Sequence, residues 1–343
     1  MMRRARRAVP EHDSLHMVER HRTKQPTMSH SFPALRPRRR IEGISAVLLP
    51  FTTAGRPSWP DFTRLVARTW DAGLTPAVNM DTGFVNLLSP AEREQVLAVT
   101  AELARGRRFV AGAFIEHEEG EPSHLYRCAI DRIRAAGGVP ILFQCSALRD
   151  APESAVVEVY AEAARGGGPL VAFELGTMFA PFGRIYTLDG VRRLMDIPAF
   201  VGLKHSSLDR EQEWARLRLR DECRPEFRIY TGNDLAIDMV FYGSDYLLGL
   251  STFAVEAFAA RDAAWTAGDP AAFLVNDVLQ FLGQFTFRSP VPAYRHSAAQ
   301  FLHLRGEIAS PEPHPACPRR PASDLDVLGD IATRLNVCVR SVP

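Results

Sequence analysis

Lysine is almost absent from this sequence. Only Lys24 and Lys204 occur, against 39 arginines. A coding bias toward arginine leaves little use for lysine as a plain positive charge. A lysine retained in such a chain raises a chemical question, because an ammonium can lose its proton and attack a carbonyl, whereas a guanidinium stays charged. Cysteine is sparse as well. The five residues, at 128, 145, 223, 317 and 338, are an odd number and form no C-x-x-C pair. That pattern supplies no zinc site, so no metal is expected, and it fits a reducing compartment, so a cytoplasmic location is expected. No apolar run approaches the roughly 18 residues of a membrane-spanning helix, and no membrane partner is expected.

The charge of one sign is also nearly cancelled, at +1 overall. That balance is a composite. Residues 1–40 hold ten Arg, one Lys and three acidic residues, a local +8, so the remaining 303 residues sum to −7. A mildly acidic body argues against a nucleic-acid-binding domain, which presents a basic face. It leaves small anionic substrates open, since they need only one or two local charges or dipoles.

The first forty residues have no apolar periodicity and few β-branched side chains, so they are expected to be a disordered basic tail or an over-extended start, with Met28 as the first residue. The twin Arg3–Arg4 has no apolar segment after it, which argues against export, and Glu11, Asp13 and Glu19 argue against an organelle transit peptide. A basic interaction tail is the other reading of this segment.

From residue 41 the pattern becomes regular. Short apolar runs, each a candidate strand, occupy residues 44–51, 74–80, 108–114, 138–144, 169–174, 199–204, 227–231 and 245–249. Amphipathic stretches fill most of the gaps. The run PSWPDFTRLVARTWDAG places Phe62, Leu65, Val66 and Thr69 on one helical face. Ser89, Pro90 and Glu92 read as an N-cap, a first-turn proline and a capping box. The strand ends recur at steps near 30 residues, except for a last step of 18. Eight βα units at this rhythm predict an α/β fold, a closed (β/α)8 barrel spanning 41–267, with a helical region over 268–343. An open doubly wound sheet would call for G-x-G-x-x-G after the first strand, and PFTTAGRP does not supply it.

Barrels carry their chemistry at the C-terminal ends of the strands. Lys204 ends the sixth candidate strand, FVGLK, flanked by Val201 and Leu203. Desolvation there lowers the pKa of an amine toward the nucleophilic range. Asp81, Glu116 and Glu174 fall at other strand ends, and clustered carboxylates beside a lysine are acid/base equipment. Arg184 is a candidate bidentate carboxylate clamp or a partner for Glu174. Tyr186 and Tyr230 are candidate proton donors, and Asn233 follows the seventh strand. His205, next to Lys204, points to the opposite side of a continuing strand and is expected to be structural.

The segment FVGLKHSSLD resembles the active-lysine strand of the dihydrodipicolinate synthase / N-acetylneuraminate lyase family. GISAVLLPFTTAGRPSWPDFTRLV, LLSPAERE, YTGNDLAIDMVFYGSDYLLGLSTFAVE and SPVPAYRHSAA resemble further family segments, and together they cover about residues 41–310. The resemblance implies a metal-independent lyase, aldolase or dehydratase. Its Lys204 would form an imine with pyruvate or another 2-keto acid, without a cofactor, in a homodimer or homotetramer. With the strand-end carboxylates named above, Lys204, Glu174 and Asp81 are the expected catalytic residues. Thr82, Gly83, Glu116, Arg184, Asn233 and Ser251 are the expected substrate-binding residues. Two departures stand out. The family's G-T-T-G-E motif is here MDTGF, with Asp81 in place of one threonine, where a carboxylate would repel a substrate carboxylate unless bonded elsewhere. The family tyrosine after the fourth strand is missing from FQCSALRDAP. The alternative reading is a catalytically degenerate barrel that binds a keto acid or regulates.

Overall fold

The computed structural model describes residues 33–340. Most of the basic tail, including Lys24 and Met28, lies outside the described residues. Composition extends the tail to residue 40, but residues 34–40 already run along the folded body. The Arg36 amide donates to the Phe241 carbonyl at 2.8 Å, and the Arg39 guanidinium donates to Asp245 at 2.8 Å.

In chain order the elements are β1 (Gly43–Ala46), α1 (Trp59–Asp71), β2 (Thr75–Val78), α2 (Pro90–Ala104), β3 (Val110–Ala113), α3 (Pro122–Ala135), β4 (Val139–Leu142), α4 (Glu153–Ala163), β5 (Leu170–Leu175), α5 (Leu188–Met195), β6 (Phe200–Ser206), α6 (Arg210–Cys223), β7 (Arg228–Thr231), β8 (Asp245–Leu248), α7 (Val255–Ala267), α8 (Ala271–Thr286), α9 (Tyr294–Leu304) and α10 (Asp324–Arg340). The strands are all parallel and close in sequence order, β8 returning to β1. This is the (β/α)8 barrel that the strand rhythm predicts. The short last step has a simple cause: a 3-10 turn, Ile237–Tyr242, replaces the helix between β7 and β8. The capping box at α2 forms as expected, with Glu92 N–H to Ser89 Oγ at 3.2 Å and Ser89 N–H to Glu92 Oε2 at 2.8 Å. Among the described residues no helix is long and apolar enough to cross a membrane.

Side chains alternate across each strand. Ile44, Ala77, Val110, Ile141, Val171, Phe173, Tyr230 and Leu247 fill the barrel interior. Leu170, Ala172, Leu203 and Ile229 face the helical layer. Parallel neighbours at one register share a face, and β5 pairs with β6 as Phe173↔Lys204 and Glu174↔His205. Lys204 therefore points inward with Phe173. Glu174 points outward with His205, which corrects its assignment to the lysine pocket.

Between β5, β6 and α6, Glu174 forms a buried ionic cluster. His205 Nδ1 lies 2.6 Å from Glu174 Oε1, and His205 Nε2 lies 2.6 Å from the Ser207 hydroxyl. Arg216 donates to Glu174 Oε2 at 3.0 Å and to the Tyr186 carbonyl at 2.6 Å. The Tyr186 amide adds a 2.7 Å bond to Glu174. Burial alone would raise the Glu174 pKa, but these partners hold it below the usual glutamate value. Removing one partner from such a group leaves an uncompensated buried charge. Arg216→Met is expected to lower unfolding free energy by about 3 kcal/mol, measured by urea denaturation.

Candidate active site

At the C-terminal mouth of the barrel, β6 delivers Lys204 into the interior. Its side chain is 7% exposed. Nζ sits 4.2 Å from the centroid of the Phe173 ring and makes no hydrogen bond among the described residues. The neighbouring strand end leaves space for it. A Cβ at Gly232 would lie 2.9 Å from Lys204 Cε and 2.0 Å from Ser206 Oγ. A glycine is therefore required beside the amine.

The electrostatics of this position follow from its dryness. Burial lowers the Lys204 pKa to about 8, while the charges of Asp234 and Asp81 pull the other way. Asp234 stands in the turn after β7 and accepts the Leu250 amide at 2.8 Å. Burial raises its pKa to about 7, with the Leu250 bond and the Lys204 charge opposing and Asp81 adding to the rise. An amine and a carboxyl group are thus both brought near neutral pH in one place, where a proton can be held or released by either.

Asp81, Thr82 and Gly83 form a short 3-10 turn directly after β2. A residue distant in sequence completes this corner. Tyr294, the first residue of α9, donates its phenol proton to Asp81 Oδ2 at 3.0 Å. The Thr82 hydroxyl lies 2.9 Å from the Tyr294 phenol oxygen, and since the phenol proton is spent on Asp81, Thr82 is the donor in that contact. Burial first, and the Asp81 charge second, push the Tyr294 pKa well up, so the phenol keeps its proton. Tyr294 stacks on Phe287 with ring centroids 4.2 Å apart. Gly249 admits it, because a Cβ there would lie 3.1 Å from the tyrosine ring. Arg295 Nη1 donates to the Asp81 carbonyl at 3.3 Å and lies 3.8 Å from its carboxylate. The Asp81 carboxylate is therefore engaged, bonded to a phenol and beside a guanidinium.

The remaining sequence candidates divide. Glu116 accepts the Ser146 amide at 2.8 Å and lines the same cavity as Asp81. Gly83 spends its amide on the Met80 carbonyl at 3.0 Å. Asn233 shapes the turn that presents Asp234: its amide oxygen accepts Leu235 N–H at 3.0 Å, and its own N–H donates to Thr231 Oγ1 at 3.2 Å. Ser251 is fully buried, with its hydroxyl bonded to the Leu248 carbonyl at 2.8 Å and to Ser45 at 2.9 Å. Arg184 is neither a clamp for substrate nor a partner of Glu174. It donates to the carbonyls of Leu148, Arg149 and Ala151 at 2.6, 2.9 and 2.8 Å and so fastens the loop after β4. Glu174 lies on the far face of the sheet. The two tyrosines proposed as donors are also elsewhere: Tyr186 pairs with Tyr160 in the outer layer at 3.3 Å, and Tyr230 reaches Glu42, just before β1, at 3.2 Å.

Sequence reasoning missed Asp234 and Tyr294. Asp234 had a signal, being next to Asn233 in the same turn. Tyr294 had none of local origin, because it meets Asp81 across 213 positions. A larger cavity, about 610 Å³, opens between α2 and α3 and includes none of these groups except the edge residue Phe114 near the site. The clustered ionisable side chains identify the Lys204 mouth as the candidate site, not the size of the opening. Among the described residues no group of three His, Cys, Asp or Glu side chains is placed to hold a metal ion.

No protein-family model matches the chain, and no curated protein matches it. Solved structures do share its fold. Dihydrodipicolinate synthase from Thermotoga maritima is 18% identical, with a TM-score of 0.74 over 87% of this chain and 100% of that one. A prophage protein of the dihydrodipicolinic acid synthase family from E. coli K12, solved in complex with pyruvate, is 16% identical, with a TM-score of 0.75 over 87% of this chain and 99% of that one. The 4-hydroxy-tetrahydrodipicolinate synthase from Methylacidiphilum fumariolicum SolV is 17% identical, with a TM-score of 0.70 over 88% of this chain and 98% of that one. At such identities the likeness is one of fold.

The burial of Lys204 has a direct readout. Acetylation of the Lys204 amine by acetic anhydride, followed by mass spectrometry of its peptide, is expected to be half-maximal near pH 8. Below that the rate should fall tenfold per pH unit, because only the neutral amine reacts. A midpoint near the 10.5 of an ordinary lysine would contradict the site described.

Proposed function

We propose that this chain is a divergent, dihydrodipicolinate synthase-like lyase that works through an imine on Lys204. The observation that carries the proposal is one buried amine, at the inner end of β6, with its pKa brought to about 8 beside an aspartate brought to about 7. The partner fold solved with pyruvate supports a 2-keto acid as the substrate class.

The neutral Lys204 amine adds to the ketone carbon. The resulting hydroxyl takes a proton and leaves as water, and an iminium remains. That iminium is an electron sink for breaking or forming an adjacent carbon–carbon bond, or for losing water. No step of this sequence calls on a metal or an organic cofactor. Asp234 supplies the proton for loss of water and takes one back, since its pKa lies near neutrality. Asp81, Tyr294 and Thr82 form a hydrogen-bonded row. In this reading the row moves a proton on or off the substrate. It replaces, from α9, the phenol that the loop after β4 lacks. The turn of Thr82 and Gly83 is the proposed seat of the substrate carboxylate, which would have to draw the Thr82 hydroxyl from Tyr294 and the Gly83 amide from the Met80 carbonyl, and the engagement of Asp81 by Tyr294 and Arg295 lowers the repulsion that its charge would cause. A homodimer or homotetramer in the cytoplasm remains the expected setting.

Two experiments bear on this. Borohydride reduction in the presence of pyruvate is expected to add the mass of the reduced adduct to Lys204, and to add nothing to Lys204→Arg. No adduct with any of a panel of keto acids would leave a barrel that only binds. Tyr294→Phe is expected to keep imine trapping while lowering kcat roughly 100-fold, the size of a lost acid/base group.

A further inference from the structure

The connector between α9 and α10, residues 305–323, runs past the C-terminal ends of β1 and β2, where it meets Phe51 and Phe84. It is fastened on both sides of that contact. The Ala309 amide donates to Asp61 Oδ2, on α1, at 3.2 Å. Farther on, the Arg320 amide donates to His296 Nδ1 at 2.7 Å, and its guanidinium donates to the carbonyls of Thr286 and Ser289 at 2.9 and 3.0 Å. Pro315 packs close between the two, since a Cβ at Gly55 would lie 2.9 Å from its Cγ.

His314 stands at the middle of this connector. The Ala316 amide donates to His314 Nδ1 at 3.1 Å, and the Cys317 amide donates to the His314 carbonyl at 2.8 Å. The imidazole is thus set by its own turn, with its proton on Nε2. Burial lowers the His314 pKa, with Glu92 opposing and Arg295 adding, so the ring is neutral at pH 7 and above. The ring lies 5.1 Å from Phe51 at 78° and 5.8 Å from Phe84 at 34°. Both separations fall in the range of favourable ring pairs.

Phe84 needs such support. It follows Gly83 directly and is fully buried, with φ 64° and ψ 26°, a left-handed conformation that a bulky residue rarely adopts. That conformation closes the 3-10 turn, with the Phe84 amide donating to the Asp81 carbonyl at 2.9 Å. The Phe84 ring is enclosed by Phe51, 5.5 Å away at 89°, by His314, and by the Arg295 guanidinium 4.9 Å from its centroid. Arg295 is also the cation beside the Asp81 carboxylate, at 3.8 Å. The ring stack and the carboxylate therefore form one unit: what holds Phe84 holds both the Asp81 backbone and its counter-charge. An uncommon backbone conformation that only its surroundings maintain, next to titratable groups, points to a functional constraint.

We propose that His314 is a positioning residue of the Lys204 site: packed on Phe84 from the C-terminal connector, its ring holds the Asp81–Gly83 turn so that the Asp81 carboxylate stays near the amine. His314 touches no reacting group and acts through Phe84 and Arg295. The role rests on the reading of Lys204 as the reacting amine, but the holding of Asp81 is measurable without any imine.

The measurement is the pH midpoint of Lys204 acetylation in His314→Asn and His314→Phe. Asn keeps an acceptor for the Ala316 amide and loses the ring, whereas Phe keeps a ring and loses the acceptor. A carboxylate released from its corner turns to water, where its pull on the ammonium is screened. The midpoint in His314→Asn is therefore expected to fall by about half a pH unit, the effect of moving one nearby charge by roughly 1–2 Å. In His314→Phe it is expected to match that of the unaltered protein. Phe84→Leu, which removes the ring at the centre of the stack, is expected to show the same fall, and it carries the test if circular dichroism shows His314→Asn to be unfolded. An unchanged or raised midpoint in a folded His314→Asn, an equal fall in both His314 variants, or no fall in Phe84→Leu would overturn the proposal. Borohydride trapping answers the other question: an unaltered protein without any keto-acid adduct loses the lyase reading, while the midpoints of these variants still decide the role of His314.

Discussion

Everything at the mouth of the barrel depends on keeping one amine dry. An ammonium group taken out of water loses much of its hydration, and the cost appears as a shift of its pKa toward neutrality. The fold provides the dryness through β6, whose register sets Lys204 against the phenyl face of Phe173, and through the glycine at 232, which keeps the next strand end clear of it. It then limits the shift with two carboxylates. Without Asp81 and Asp234 the amine would be pushed further; without burial it would stay an ordinary ammonium. The usefulness of the site lies in this balance.

The same sheet shows how one step along a strand separates catalysis from stability. Lys204 faces inward and meets a cavity. His205, its neighbour, faces outward and enters a closed ionic cluster with Glu174 and Arg216. Both faces bury charge, but the inward Lys204 amine has no hydrogen bond among the described residues. The outward cluster is satisfied on nearly every atom and can serve the fold alone. The ring array of the interior has an equivalent double role, since Phe173 belongs both to the barrel core and to the surroundings of the amine.

How much of this was legible in the sequence follows from the range of the interactions. The barrel was legible because each strand announces itself locally, and because the spacing repeats. Lys204 was legible through the scarcity of its residue type. A carboxylate at a strand end suggests a place in the pocket, whereas the pairing of Glu174 with His205 sends both outward. His205 was itself read as outward, so only the cross-strand register was missing. The turn after β7 was read one residue short, at Asn233, because an asparagine in a tight turn and the aspartate it presents differ only in which side chain is left for the cavity. Arg184 shows the limit for long side chains, whose reach allows a carbonyl cage as readily as a carboxylate. Tyr294 could not be read at all, since nothing near it in sequence points to Asp81.

That last contact has a bearing on when the protein becomes competent. Chains emerge from the ribosome in order, at roughly 5–20 residues per second. Lys204 is therefore made several seconds before Tyr294, and every strand of the barrel precedes the helix that bonds Asp81. A barrel that closes during synthesis would hold its amine and its aspartates with one corner still open to water. The helix α9 thus fastens the site after the barrel strands are complete, and the reactive amine reaches its finished surroundings only once that helix has been made and has docked.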